Sequence, residues 1–188
     1  MIRILGLDLS LTATGVSAFD STMLRTIAPA KSMTGMPRLE WIRAAVYEEC
    51  SEADLTVCED LSFGSNMPGH SEVVMLHGLV RHTLWCEGRP LVLVAPTSLK
   101  KFVCGSGSAK KEQMMLDVFK RWNISAADNN QADACGLAQI GRCMTGQMEP
   151  ENQAQREVVA KVRAGNAAAL RLLDEHLSST GASQGRLL

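Results

Sequence analysis

Three acids in this sequence stand where a charge is costly to keep. Asp8 closes an apolar run in Leu5-Gly-Leu-Asp-Leu-Ser-Leu, Glu59 closes Leu55-Thr-Val-Cys-Glu, and Asp133 sits among small apolar residues in Gln131-Ala-Asp-Ala-Cys-Gly-Leu-Ala. A carboxylate taken out of water is expensive unless a cation or a set of hydrogen bonds compensates it. Its oxygens are hard donors suited to Mg²⁺ or Mn²⁺, and two such ions sharing carboxylates activate a water and stabilise the leaving oxygen of a phosphodiester. Each acid alone has an ordinary explanation: a strand-end turn for Asp8, a half-exposed edge for Glu59, a Lys or Arg partner for Asp133. Their co-occurrence at the ends of converging elements is what favours a metal centre. The histidines add nothing to it, since His70, His77, His82 and His176 show no i, i+4 pairing and read as surface or satisfied core residues.

The elements that must position these acids follow from hydrophobic periodicity. Ile2–Asp8, Thr14–Phe19 and Met23–Ala28 read as three successive strands in antiparallel hairpins. Pro37 opens a helix whose buried stripe is Leu39, Ile42, Val46 and Cys50. Leu55–Glu59 is a buried-type strand, Glu72–Trp85 a strongly apolar helix, and Pro90–Ala95 another buried strand. Ala109–Trp122 is an amphipathic helix turning Met114, Met115, Val118 and Phe119 inward, and Asn129–Met144 closes the main body. Hairpins first and crossovers later predict an α/β fold: a mixed five-stranded sheet, three antiparallel strands followed by parallel crossovers, with helices on both faces. Sites in such sheets form at the carboxyl ends of the strands, where Asp8 and Glu59 stand. Residues 1–145 are expected to form this domain. Residues 146–188 read as a polar connector, a short helical extension (156–164 and 167–176, broken at Gly165-Asn166), and a disordered tail from Ser178.

Composition bounds the partners. A hydrophobic fraction of 46% and a charged fraction of 21% are those of a globular protein. No stretch approaches the roughly 20 apolar residues of a membrane span, and the charge early in the first segment argues against a signal peptide, so a cytoplasmic location is expected. The six cysteines form no C-x-x-C pair and read as reduced core residues. A net charge of −1 speaks against nucleic acid as a partner, because neutralising phosphates takes Lys and Arg. The average hides an asymmetry, however: Ser98–Arg121 holds six Lys or Arg against two acids, and the rest of the chain is net negative.

Four segments, in order, resemble RuvC-type Holliday-junction resolvases of the RNase H-like nuclease superfamily. They are Gly6-Leu-Asp-Leu-Ser-Leu-Thr-Ala-Thr-Gly-Val16, Cys58-Glu-Asp-Leu-Ser-Phe63, the basic Gly-rich Ala95–Gln113, and Ala132-Asp-Ala-Cys-Gly-Leu-Ala138. The resemblance covers roughly the first 145 residues and implies the RNase H-like fold. It implies Asp8, Glu59 and Asp133 as catalytic ligands of Mg²⁺, with Mn²⁺ able to substitute and two ions per site. The substrate it implies is branched DNA, above all a four-way junction, cut to a 5′-phosphate and a 3′-hydroxyl by a homodimer whose apolar helix, with His77 and Gly78, faces the sister subunit.

The same resemblance assigns DNA contact to Phe63, Lys100, Lys101, Ser108, Lys110 and Lys111, with Ser108 capping the following helix and the free N–H groups there seating a phosphate. One position departs from the family. The usual fourth acid, three residues before the helix aspartate, is Asn130 here. The fourth ligand stays open among Asp128, Asn129 and Asn130; Asp128 serves if the chain there is still loop, and is equally an N-cap with Gln131 completing a capping box. Three other readings stay open: a less specific branch or flap nuclease, as in phage-type members; an inactive junction-binding relative, prompted by Asn130; and an actin-like ATPase or sugar kinase core. The last needs a second comparable domain, for which 188 residues have no room.

Overall fold

The computed structural model describes residues 1–18, 23–61 and 69–179, the side chain of Lys111 excepted. Phe63 and the tail beyond Ser179 lie outside the described residues. The strands are β1 (Ile4–Asp8), β2 (Thr14–Ala18), β3 (Met23–Ile27), β4 (Leu55–Glu59) and β5 (Leu91–Val94). The helices are α1 (Gly35–Ser51), α2 (His70–Cys86), α3 (Pro96–Cys104), α4 (Lys111–Trp122), α5 (Asn129–Met144), α6 (Gln153–Gly165) and α7 (Ala167–Ser179).

The expected mixed sheet is present in the order β3-β2-β1-β4-β5. β1 pairs antiparallel with β2 and β2 with β3, while β4 runs parallel to β1 and β5 parallel to β4. Alternation along the strands divides the core. Leu5 and Leu7 meet α1 and α2 through Leu39, Ile42, Val46, Leu76, Val80 and Leu84. Ile4, Leu55 and Val57 face the other way, toward α3, α4 and α5. No helix of the described residues is long and apolar enough to cross a membrane.

The parity fixes the acids. Asp8 shares the face of Ile4 and Gly6, and Glu59 shares the face of Leu55 and Val57, because side chains two apart point the same way. The parallel register pairs Leu7 with Cys58, so Asp8 and Glu59 stand beside each other at the carboxyl ends of neighbouring strands. Both turn toward α5, which brings Asp133.

How closely α5 can approach is set by two glycines. A Cβ at Gly6 would lie 2.0 Å from the Ala134 carbonyl oxygen, and one at Gly15 would lie 2.0 Å from that of Asn130. Only a bare Cα admits α5, itself lined with Ala132, Ala134 and Ala138, so tightly against β1 and β2. Since Gly15 pairs with Asp8 in the hairpin, this contact seats the first turn of α5 directly over the first acid.

Several expectations are corrected. Pro96–Cys104 is a helix of its own, with Pro at its start and Leu99, Phe102 and Val103 buried. Phe119 is 52% exposed instead of inward, because the buried stripe of α4 runs through Met114 and Val118. Helix α4 begins at Lys111, with Lys110 in the cap position and no side-chain cap bond, so Ser108 does not cap it; the Ser108 hydroxyl lies 3.1 Å from that of Ser106. Of the cysteines, Cys50, Cys58, Cys135 and Cys143 are buried as expected, but Cys86 is exposed on α2. Burial pushes the Cys50, Cys135 and Cys143 thiols up to about 12, which leaves them inert.

Helices α6 and α7 pack into the same core. Val158, Val159 and Val162 of α6 and Leu173 of α7 join the cluster built on Ile4, Val57 and Val92. At the α6–α7 break, Asn166 accepts from the Leu93 N–H through Oδ1 (2.9 Å) and donates to the Leu93 carbonyl through Nδ2 (3.1 Å). Its amide thus satisfies the open side of β5 as a further strand would.

Candidate metal centre

Asp8, Glu59 and Asp133 meet at the carboxyl end of β1 and β4, each offering a carboxylate oxygen such that all three lie within 4.8 Å of one another. Asp8 is 9% exposed. Two unit charges at that spacing repel by about 3 kcal/mol at an effective dielectric near 20, a repulsion that a cation among the three acids would offset. They line a cavity of about 430 Å³ together with Asp60, His70, His77, Lys100, Asn129 and Asn130.

The hairpin behind Asp8 is closed by its own hydroxyls. Ser10 N–H donates to Thr14 Oγ1 (3.0 Å), and that hydroxyl donates to the Ser10 carbonyl (2.9 Å). The Ser and Thr of the segment Asp8-Leu-Ser-Leu-Thr-Ala-Thr-Gly therefore hold a turn. Behind Glu59, Asp60 N–H donates to the Val94 carbonyl (2.8 Å), and Arg81 Nη2 of α2 donates to Asp60 Oδ1 (2.8 Å).

His77, read as a surface or satisfied core residue on the helix that the resemblance turns to a sister subunit, is 4% exposed on the inner side of α2, at the cavity wall. Burial, aided by the Arg81 guanidinium, brings it down to about 4. Arg81 Nη2 lies 3.3 Å from His77 Nδ1, and because a guanidinium only donates, Nδ1 accepts and the neutral ring carries its proton on Nε2. A buried His beside the acids was legible as a member of the stripe Leu76-His77-Val80-Leu84.

The start of α5 separates the candidates for a fourth ligand. Asp128 is the N-cap: Oδ1 accepts from Gln131 N–H (2.8 Å) and Oδ2 from the Thr26 hydroxyl (3.2 Å). The capping box is shifted by one, with Gln131 Oε1 accepting from Ala127 N–H (3.0 Å). Asp128 lies outside the three-acid cluster and the cavity lining, and its carboxylate oxygens reach the helix start and β3 instead. Asn130 Nδ2 donates to the Ala13 carbonyl (2.7 Å), tying α5 to the hairpin. Asn129 Oδ1 is buried with no hydrogen-bond partner among the described residues, a state that costs about 1–3 kcal/mol when nothing binds there. Three converging carboxylates and an orphaned acceptor oxygen in one cavity are a donor set that fits a hard divalent cation.

Of the basic residues, Lys100 lies at the cavity wall. Lys101 turns instead to Glu157 of α6 (2.7 Å), and Arg121 to Glu151 (2.7 Å). Lys110 is exposed in the loop before α4. Glu157 of α6 and Glu151 just before it thus each pair with one cation of the basic run.

No protein-family profile and no curated protein sequence matches the chain. Solved structures do. Thermus thermophilus RuvC superposes with a TM-score of 0.59 at 18% identity, over 73% of this chain and 90% of that one. T. thermophilus RuvC in complex with a Holliday junction substrate gives a TM-score of 0.58 at 20% identity, over 73% and 91%. The likeness shows that the chain has the RuvC-type, RNase H-like α/β fold implied by the four segments.

Proposed function

We propose that this chain is a metal-dependent endonuclease that cuts branched DNA, with the four-way junction as its preferred substrate. The observation that carries the reading is the convergence of Asp8, Glu59 and Asp133 within 4.8 Å, at the strand ends of a RuvC-type fold. Two Mg²⁺ or Mn²⁺ ions held by these acids would supply a hydroxide-strength nucleophile at neutral pH and charge stabilisation for the leaving oxygen. The neighbouring solved structure bound to a Holliday junction supports the choice of substrate.

The chain's own groups divide the remaining work. Lys100, on the cavity wall, meets a non-bridging phosphate oxygen of the cleaved strand. Lys110 and Ser108, on the exposed loop between α3 and α4, meet flanking phosphates, with Lys111 and Phe63 extending the contact from segments whose side chains lie outside the description. Neutral His77 adds no charge to the cavity and offers a donor at Nε2. The products are a 5′-phosphate and a 3′-hydroxyl.

Symmetrical cutting calls for two copies, and the outer face of α2 supports a homodimer. Val74, Met75 and Trp85, the last 76% exposed, form with Gly78 one stripe along the helix. The inactive-relative reading rested on Asn130, whose amide is a structural tie between α5 and the hairpin.

The test is incubation of the purified protein with labelled four-way junction, flap and linear duplex in Mg²⁺. Paired nicks across the junction, with the duplex left intact, are expected. Preferential cutting of the flap would replace junction resolution by the looser branch-nuclease reading, and no cutting of any DNA would end the nuclease reading.

A further inference from the structure

We infer that the fourth oxygen of the metal centre is the side-chain carbonyl of Asn129, a neutral amide standing where a fourth carboxylate would be expected. The inference rests on the metal-binding reading of the three acids.

Three polar residues open α5 ahead of Asp133, and two of them already hold other partners. Asp128 gives one oxygen to the Gln131 N–H and the other to Thr26. Asn130 lines the cavity of Asp8, Glu59 and Asp133 with its Nδ2 tied to Ala13, whereas Asn129, on the same wall, has its Oδ1 buried and unpartnered among the described residues.

Helix geometry agrees. Asn129 and Asp133 are four residues apart, so they share one face of α5, and the backward tilt of helical side chains leans Asp133 over Asn129. The backbone beneath is fixed on both sides, by the Asp128 cap and by the contact of Gly15 with the Asn130 carbonyl. Asn129 therefore has only its two side-chain torsions left to order when a cation arrives.

A neutral fourth oxygen changes the charge balance. Three carboxylates offset three of the four positive charges of a divalent pair, and the missing negative charge is one that a phosphodiester brings. Cation affinity follows the ligand charge count. The centre is thus built to bind one ion well alone and the second only with DNA in place.

The test measures Mn²⁺ binding to the DNA-free protein from the paramagnetic resonance signal of the free ion. Asn129→Leu is expected to weaken binding about tenfold, the scale on which even supporting groups of a metal site act. Asn129→Asp is expected to tighten it and to let a second ion bind without DNA. Asp128→Asn, which removes a nearby charge but keeps a capping residue, should change affinity by no more than about twofold, as screened charges do.

Equal affinity of Asn129→Leu and wild type would overturn the inference, as would a larger loss in Asp128→Asn. Asp8→Asn separates the two levels: if it alone loses Mn²⁺, the metal centre stands and the amide ligand falls, whereas if it too binds as wild type, the metal reading fails with it. Circular dichroism without metal checks each fold. If Asn129→Leu does not fold, Asn129→Asp decides, and affinity no tighter than wild type overturns the inference.

Discussion

Asp8→Asn is expected to slow junction cleavage by at least about 10³-fold in saturating Mg²⁺, the rate equivalent of roughly 4 kcal/mol of lost transition-state stabilisation. The side chain barely changes in size, so packing around β1 is preserved. What changes is one of three carboxylates crowded within 4.8 Å. Mg²⁺ should raise the melting temperature of wild type and leave the variant unmoved, because only a ligand that binds the folded state stabilises it. Calorimetry beside the cleavage assay therefore distinguishes a lost ligand from a lost fold. An Asp8→Asn protein that cuts at a rate near wild type would remove Asp8 from the chemistry.

Gly6→Ala is expected to do comparable damage from a position that offers no functional group. The added methyl would sit 2.0 Å from the Ala134 carbonyl oxygen and 2.7 Å from the Ala138 amide nitrogen, both rigid backbone. Helix α5 must retreat from β1, and we expect a loss of about 3 kcal/mol or more, at the upper end of overpacking effects. The retreat carries Asp133 away from Asp8 and Glu59, and a displacement of about 1 Å costs on the order of 10²-fold in rate even for the molecules that remain folded. Gly165→Ala is the control: nothing lies within 4 Å of its added methyl, and urea unfolding should find it neutral or slightly stabilised. A Gly6→Ala protein as stable and as active as wild type would show that α5 does not depend on this contact.

These two residues show what the sequence could and could not disclose. The acids were legible because each contradicts its surroundings, and strand parity follows from residue type alone. The convergence of Asp133 on the other two was not, since it depends on the approach of α5, which the small residues Gly6, Gly15, Ala134 and Ala138 permit without advertising. The boundary of α3 was hidden by Lys100-Lys101 and the Gly-Ser run behind them, a pattern equally suited to a loop. Phe119 was misassigned because residues 115, 118, 119 and 122 share one broad helix flank, and tertiary packing alone decided which part of it met the core.

Around the site the sequence left alternatives that packing decides. Asp128 read equally as cap and as ligand, and the cap forms. Asn129 stood beside Asp128 and Asn130 as a candidate fourth ligand, and no local rule ranks an amide among them. His77 read as a surface or satisfied core residue; it is buried, with Arg81 one turn on, while the link from Arg81 to Asp60 lies across the fold. The pairing of Lys101 with Glu157 spans 56 residues and belongs to no local pattern.

The measurement that tests the central claim most directly is anomalous diffraction from crystals grown with Mn²⁺ and without DNA. Mn²⁺ is expected bounded by carboxylate oxygens of Asp8, Glu59 and Asp133, and absent from crystals of Asp8→Asn. Junction-cutting protein whose three carboxylates stay clear of Mn²⁺ at concentrations that support cleavage would contradict it.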